Sequence, residues 1–90
     1  MQFEFDNQKS IANALKHGID FVEAQVLWAD DYLIEVQVAY IGESRFIVVG
    51  KIRDKHWTAV VTYRGSVVRI ISVRRSRKEE VNLYEQTNRI

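Results

Sequence analysis

The chain has no cysteine and no proline, and it holds only two histidines. Without cysteine there is neither a disulfide framework nor a thiolate metal site. His17 and His56 lie far apart and lack metal-ligand spacing, which argues against a structural zinc. No run approaches the ~18 consecutive apolar residues of a membrane-spanning helix. The opening, Met1 to Asp6, has neither the basic region nor the apolar core of a signal peptide. No proline-rich or low-complexity linker and no internal repeat divides the chain, so a single domain over residues 1–90 is expected, soluble and cytoplasmic.

Charge is present but unevenly placed. The formal net charge is only +1. Residues 1–44 carry two basic and eight acidic side chains, residues 45–78 ten basic and one acidic, and the last twelve a net of −2. The basic block is not a solvated tail, because Ile, Val, Trp and Tyr alternate with its arginines. With 47% hydrophobic and 11% aromatic residues, the chain has the composition of a folded domain. A sheet that gathers Arg64, Arg69, Arg74 and Arg75 would attract a polyanion, and nucleic acid is the first candidate.

The hydrophobic period then assigns the elements. Phe3-Glu4-Phe5 alternates as a short edge strand. Asp6 is an N-cap for a helix with Ile11, Ala12 and Leu15 at helical spacing, and Lys16-His17-Gly18 closes it. Asp20 and Glu23 form a capping-box variant for a second helix whose buried face is Phe21, Ala24, Leu27 and Trp28, ended by Asp30-Asp31. From there the period is two. Leu33–Tyr40, Arg45–Lys51, Trp57–Tyr63 and Val67–Arg74 read as four strands joined by connections short enough for antiparallel hairpins. A helix over 77–87, with Val81, Leu83 and Tyr84 as its apolar positions, ends the chain. The expected fold is α+β: a short N-terminal strand, two helices, a four-stranded antiparallel meander and a C-terminal helix. In an ideal last strand Val67, Arg69, Ile71 and Val73 share one face, and Val68, Ile70, Ser72 and Arg74 the other.

Phe3-Glu4-Phe5-Asp6, Lys9, Asn13 and Lys16-His17-Gly18-Ile19 resemble the opening of the BrnT toxins. Phe21-x-Glu23-Ala24, Asp30-Asp31, Glu43-x-Arg45-Phe46 and Gly50 continue that pattern. Arg69-Ile70-Ile71-Ser72-x-Arg74-Arg75 is its most characteristic stretch, and Glu79 or Glu80 with Tyr84-Glu85 completes it. The resemblance runs over about residues 3–85; Phe5 stands where Trp is common and Val73 where Ala is usual. It implies a RelE-like fold and the toxin of a type II toxin–antitoxin system, a ribonuclease that arrests growth. It also implies an RNA substrate and a BrnA-like ribbon-helix-helix antitoxin partner in a 2:2 assembly. Operator DNA would be bound only through that antitoxin, since no helix of this chain is strongly basic.

A ribonuclease of this kind needs no metal or other cofactor, since the substrate's own 2′-hydroxyl is the nucleophile. The protein must help remove that proton, stabilise the phosphorane and protonate the leaving 5′ oxygen. The planar fork of arginine suits the second task, which makes Arg69 and Arg74 the leading catalytic candidates. In an ideal strand they face opposite ways, so they share a site only near a twisted sheet end. Arg64, Arg75, Arg77, Lys51 and Arg53 are candidates for holding RNA phosphates. Tyr84 stacks on a base or donates a proton, as the resemblance implies, or it is core with a satisfied hydroxyl. His17 is a candidate proton carrier or a helix cap. Arg74 and Arg75 have Glu79 and Glu80 as possible ion-pair partners, Trp28 and Trp57 read as core, and His56 is left without a role. The alternative function is a binding module whose basic face receives an antitoxin or another acidic partner without chemistry.

Overall fold

The change of period at residue 33 marks the passage from helix to sheet. The computed structural model describes residues 1–89. Its elements are β1 (Gln2–Glu4), α1 (Asn7–His17), a 3₁₀ helix (Glu23–Ala29), β2 (Ile34–Val38), β3 (Arg45–Ile52), β4 (Lys55–Arg64), β5 (Val67–Arg75) and α2 (Lys78–Asn88). The fold is α+β, with three helices and one five-stranded mixed sheet in the order β1-β5-β4-β3-β2. Strands β2 to β5 pair antiparallel with their sequence neighbours. The sheet expected from the sequence lacks a member, because β1 joins it parallel to β5, with Phe3 opposite Val68 and Glu4 opposite Arg69. A strand of three residues has too little periodicity to announce a partner more than sixty positions away. What holds it is tertiary: the Phe3 ring packs edge-on to Trp28 at 4.9 Å.

Helix α1 begins and ends as its sequence indicates. Asp6 Oδ1 accepts from the Gln8 and Lys9 backbone N–H groups at 2.8 and 3.1 Å. Gly18 takes the left-handed conformation (φ 78°) and donates to the Ala14 carbonyl. Its buried face is the surprise. Ile11 and Leu15 are 64% and 86% exposed, and Ala12 is exposed too, whereas Ser10 and Asn13 are buried. The Asn13 amide donates to the carbonyls of Ile19 (2.8 Å) and Val73 (2.9 Å) and accepts from the Val73 N–H (3.2 Å). Strand β1 pairs only as far as Arg69, so the backbone of Val73 lies on an open stretch of the β5 edge. The side chain of Asn13 there replaces a missing strand. A buried backbone pair demands partners, and that demand outweighs the apolar periodicity of the helix.

The second helix is 3₁₀ instead of α. Its capping box forms: Glu23 N–H donates to Asp20 Oδ1 at 2.8 Å, and Asp20 N–H to Glu23 Oε1 at 3.1 Å. Phe21, Ala24 and Leu27, all but fully buried, recur every third residue. At three residues per turn that spacing falls on a single line.

The helices of the first half cover one face of the sheet, where Ile19, Phe21, Ala24 and Leu27 pack on core residues of β3, β4 and β5. Trp28 and Trp57 pack half-buried against this core. The other face carries a smaller cluster of Ile34, Val49 and Tyr84, with Ile47 against it. Among the described residues α2 is the one helix on this face, which leaves the rest of it without a covering helix. No helix among the described residues is long and apolar enough to cross a membrane.

Candidate nucleic-acid interface and active site

An irregularity in β5 decides where the arginines point. Val60 pairs with Ser72, but the next residue, Val61, pairs with Ile70. Ile71 is therefore an extra residue, a β-bulge. Below it Val68 and Ile70 face the helical core, and above it Val73 does so. The bulge shifts the alternation by one, so Arg69 and Arg74 fall on the same face, the open one. The ideal-strand alternation, which separates them, is corrected by a single inserted residue. The two do not converge on one atom, however. At ~3.3 Å per residue their positions stand roughly 13–16 Å apart along the strand.

At one end of this face, Arg69 Nη1 donates to Glu4 Oε2 at 2.7 Å, and Arg64 Nη1 lies 3.8 Å from the same oxygen. The parallel pairing of β1 delivers Glu4 to Arg69. At the other end, Arg74 grips Glu80 of α2 with both terminal nitrogens, Nη1 to Oε1 at 2.7 Å and Nη2 to Oε2 at 2.8 Å. Glu80 Oε1 also accepts from Thr58 Oγ1 (3.0 Å) and from the Arg77 N–H (2.8 Å). The last bond ties the first turn of α2 back to the backbone of its N-cap residue. These bonds, the Arg74 fork foremost, hold the Glu80 carboxyl down at about 2, and the same fork pushes Arg74 up. Two of the five N–H donors of Arg74 are committed to Glu80. The carboxylate thus orients the guanidinium and leaves other donors for a phosphate.

Beside this pair lies a second group. Asp30 Oδ2 accepts from the Tyr84 hydroxyl at 2.8 Å and from the Lys51 N–H at 2.7 Å. Tyr84 is 1% exposed, and burial together with Asp30 pushes its hydroxyl up to about 12. The side chain lies in the core with its hydroxyl hydrogen-bonded. The His56 ring stands edge-on to that of Tyr84 at 5.0 Å, and its buried Nε2 has no hydrogen-bond partner among the described residues. Burial, then the nearby Lys51 and Arg75, lower its affinity for a proton against the opposing pull of Glu85 and Asp30.

The remaining candidates scatter. Arg75 lies over the Trp57 ring at 5.5 Å and donates Nε–H to the His56 carbonyl at 3.3 Å. Arg77 is the N-cap of α2, next to the Arg74–Glu80 pair. Lys51 is exposed on β3, opposite His56. Arg53 sits in the β3–β4 turn with φ 59°, a left-handed position that costs a non-glycine residue energy. His17 is the last residue of α1 and takes no part in the hydrogen bonds of the Arg74 group. From sequence His56 has no role, and Asp30 stands only as a helix end and as part of the Asp30-Asp31 pattern; neither signal says that its side chain meets Tyr84. Among the described residues no three His, Asp or Glu side chains group as metal ligands would.

A family model described as the ribonuclease toxin, BrnT, of type II toxin–antitoxin systems matches residues 5–80. No curated protein gives a significant match.

Proposed function

The chain belongs to the BrnT family of type II toxin–antitoxin ribonuclease toxins, and we propose that it cleaves RNA laid across the open sheet face, without a metal, through the substrate's own 2′-hydroxyl. The observation that carries this reading is the bulge at Ile71, which aligns Arg69 and Arg74 on one uncovered face with Arg64 beside them. Arg74 is the group assigned to the scissile phosphate. It is held by Glu80, and Arg77, the N-cap of α2, lies next to the pair. Its free N–H donors stabilise the phosphorane as the 2′ oxygen bonds to phosphorus and the bond to the 5′ oxygen breaks. The products are a 2′,3′-cyclic phosphate and a 5′-hydroxyl, with one proton leaving the 2′ oxygen and one reaching the 5′ oxygen. Arg64 and Arg69 hold a phosphate farther along the strand. The separation of the two ends suits an extended RNA better than a single phosphate.

The family brings with it an antitoxin partner and an RNA target. The finer assignment is part of the proposal: a BrnA-like ribbon-helix-helix antitoxin in a 2:2 assembly, with operator DNA contacted only by the antitoxin, in the cytoplasm. One observation favours a second reading as a binding module. Both key arginines already donate to carboxylates, those of Glu4 and Glu80, which is the chemistry an acidic partner segment would offer.

The test is incubation of the antitoxin-free chain with end-labelled RNA in EDTA, followed by analysis of the product ends. Cyclic or 3′-phosphate ends, lost in a folded Arg74→Ala protein, are expected. Intact RNA with folded wild-type chain, on free RNA and on ribosome-bound messages alike, would leave the binding-module reading.

A further inference from the structure

We propose that β2 is a self-pairing edge and that two copies of this chain join antiparallel along it, on a two-fold axis through Val36. Strand β2 ends the sheet, and β3 is its only strand partner among the described residues. Its register with β3 is continuous from Ile34 to Val38, with no bulge to twist it away. Edges exposed in this way are ordinarily guarded by lysine, proline, a bulge or an inward-pointing charge. This one lacks the first three, and its one charge, Glu35, is engaged by a hydrogen bond from Tyr63 on the helix-covered side.

The occupant is argued from the sequence of the edge. Residues 32–40 read Tyr-Leu-Ile-Glu-Val-Gln-Val-Ala-Tyr, which is nearly the same pattern in both directions about Val36. An isologous interface needs a surface complementary to itself, and this segment meets that need position by position. Antiparallel pairing centred on Val36 sets Ile34 against Val38 of the other copy and Val36 against Val36, all β-branched. It sets Glu35 against Gln37, so that no like charges meet and the amide can donate to the carboxylate. Tyr32 and Tyr40, 51% and 54% exposed, fall opposite each other at the two ends, with Arg45 already over one face of the Tyr40 ring at 3.7 Å. Val36, 36% exposed, would be covered at the centre. A register slipped by one residue sets Glu35 against Val36 or Val38, and the match is lost.

Sedimentation equilibrium of the isolated full-length chain over a range of concentrations tests this. The mass should rise with concentration from 10.6 kDa toward twice that value. Position 37 supplies the decisive contrast, being exposed and harmless to the fold. Gln37→Glu, facing Glu35 of the other copy, should weaken association at least tenfold, whereas Gln37→Lys should strengthen it, with salt erasing both effects. Val36→Lys should leave a monomer with an unchanged circular dichroism spectrum. A wild-type mass fixed at the monomer value would overturn the proposal. So would equal responses to the two position-37 variants. Loss of antitoxin binding in Val36→Lys, with the wild-type chain monomeric, would overturn it in favour of an antitoxin strand on the same edge.

Discussion

The Tyr84 hydroxyl donates to Asp30 Oδ2 at 2.8 Å, tying the C-terminal helix to the residue that closes the 3₁₀ helix from the other side of the sheet. The contact passes over Gly50. A Cβ there would meet Leu33 Cδ1 at 2.8 Å, and Asp30 Oδ2 and Leu27 Cδ2 at 3.2 Å each. Glycine at this position is required by close approach, not by an unusual backbone angle.

Gly50→Ala is therefore expected to destabilise the fold by roughly 1–3 kcal/mol, through overpacking and displacement of Asp30. Urea unfolding measures it. A variant as stable as wild type would mean that the Asp30–Tyr84 bond does not depend on the glycine gap.

The buried face of α1 yields an inverted pair of outcomes. Asn13→Ala removes the partners of both backbone groups of Val73 and should cost about 2–4 kcal/mol, from unpaired buried polar groups and a small cavity. Leu15→Lys, on a side chain 86% exposed, should change stability by less than about 0.5 kcal/mol. The reverse order in thermal or chemical denaturation would refute the docking of α1 described above.

Acid stability should report the Arg74–Glu80 pair. The folded carboxyl of Glu80 titrates at about 2 against an ordinary 4.5, so its contribution is complete above pH 4.5. It disappears as the pH falls toward 2, a loss on the order of 2–3 kcal/mol. Glu80→Gln should flatten that limb of the curve. Unfolding free energies that fall in parallel for the two proteins below pH 4.5 would show that the pair adds nothing to acid stability.

RNA binding should depend on salt and on Glu4. Arg64→Ala and Arg69→Ala should each make the slope of log K against log salt shallower by roughly 0.7 if each holds one phosphate of a single strand. Glu4→Gln, which frees both arginines, should tighten binding at low salt. Fluorescence anisotropy with a labelled RNA reads all three, and a Glu4→Gln protein that binds more weakly would argue against the Arg64–Arg69 end as a phosphate site.

Much of the fold was legible because its signals are local. Caps at Asp6 and Gly18, the Asp20–Glu23 box and the strand alternation each depend on residues a few positions apart. The second helix was legible as a helix but not as 3₁₀, because the spacing of Phe21, Ala24 and Leu27 also fits an α-helix over so short a run. The candidate site was visible only as a set of residue types. Arg74 and Glu80 are near enough in sequence to be paired in advance. Glu4 with Arg69, Asp30 with Tyr84, and Tyr84 with His56 are not.

The sequence alone determined the α+β class, the boundaries of most strands, the basic character of the second half and the family. Tertiary structure alone decided three things: that β1 enters parallel beside β5, that α1 turns Asn13 inward and Leu15 outward, and that Arg69 and Arg74 share a face. The reason is common to all three. Each depends on satisfying backbone groups of β5, whether by a short strand, by a side-chain amide or around a bulged residue. Those groups are the same in every residue, so the need for a partner leaves no mark in the pattern of side chains.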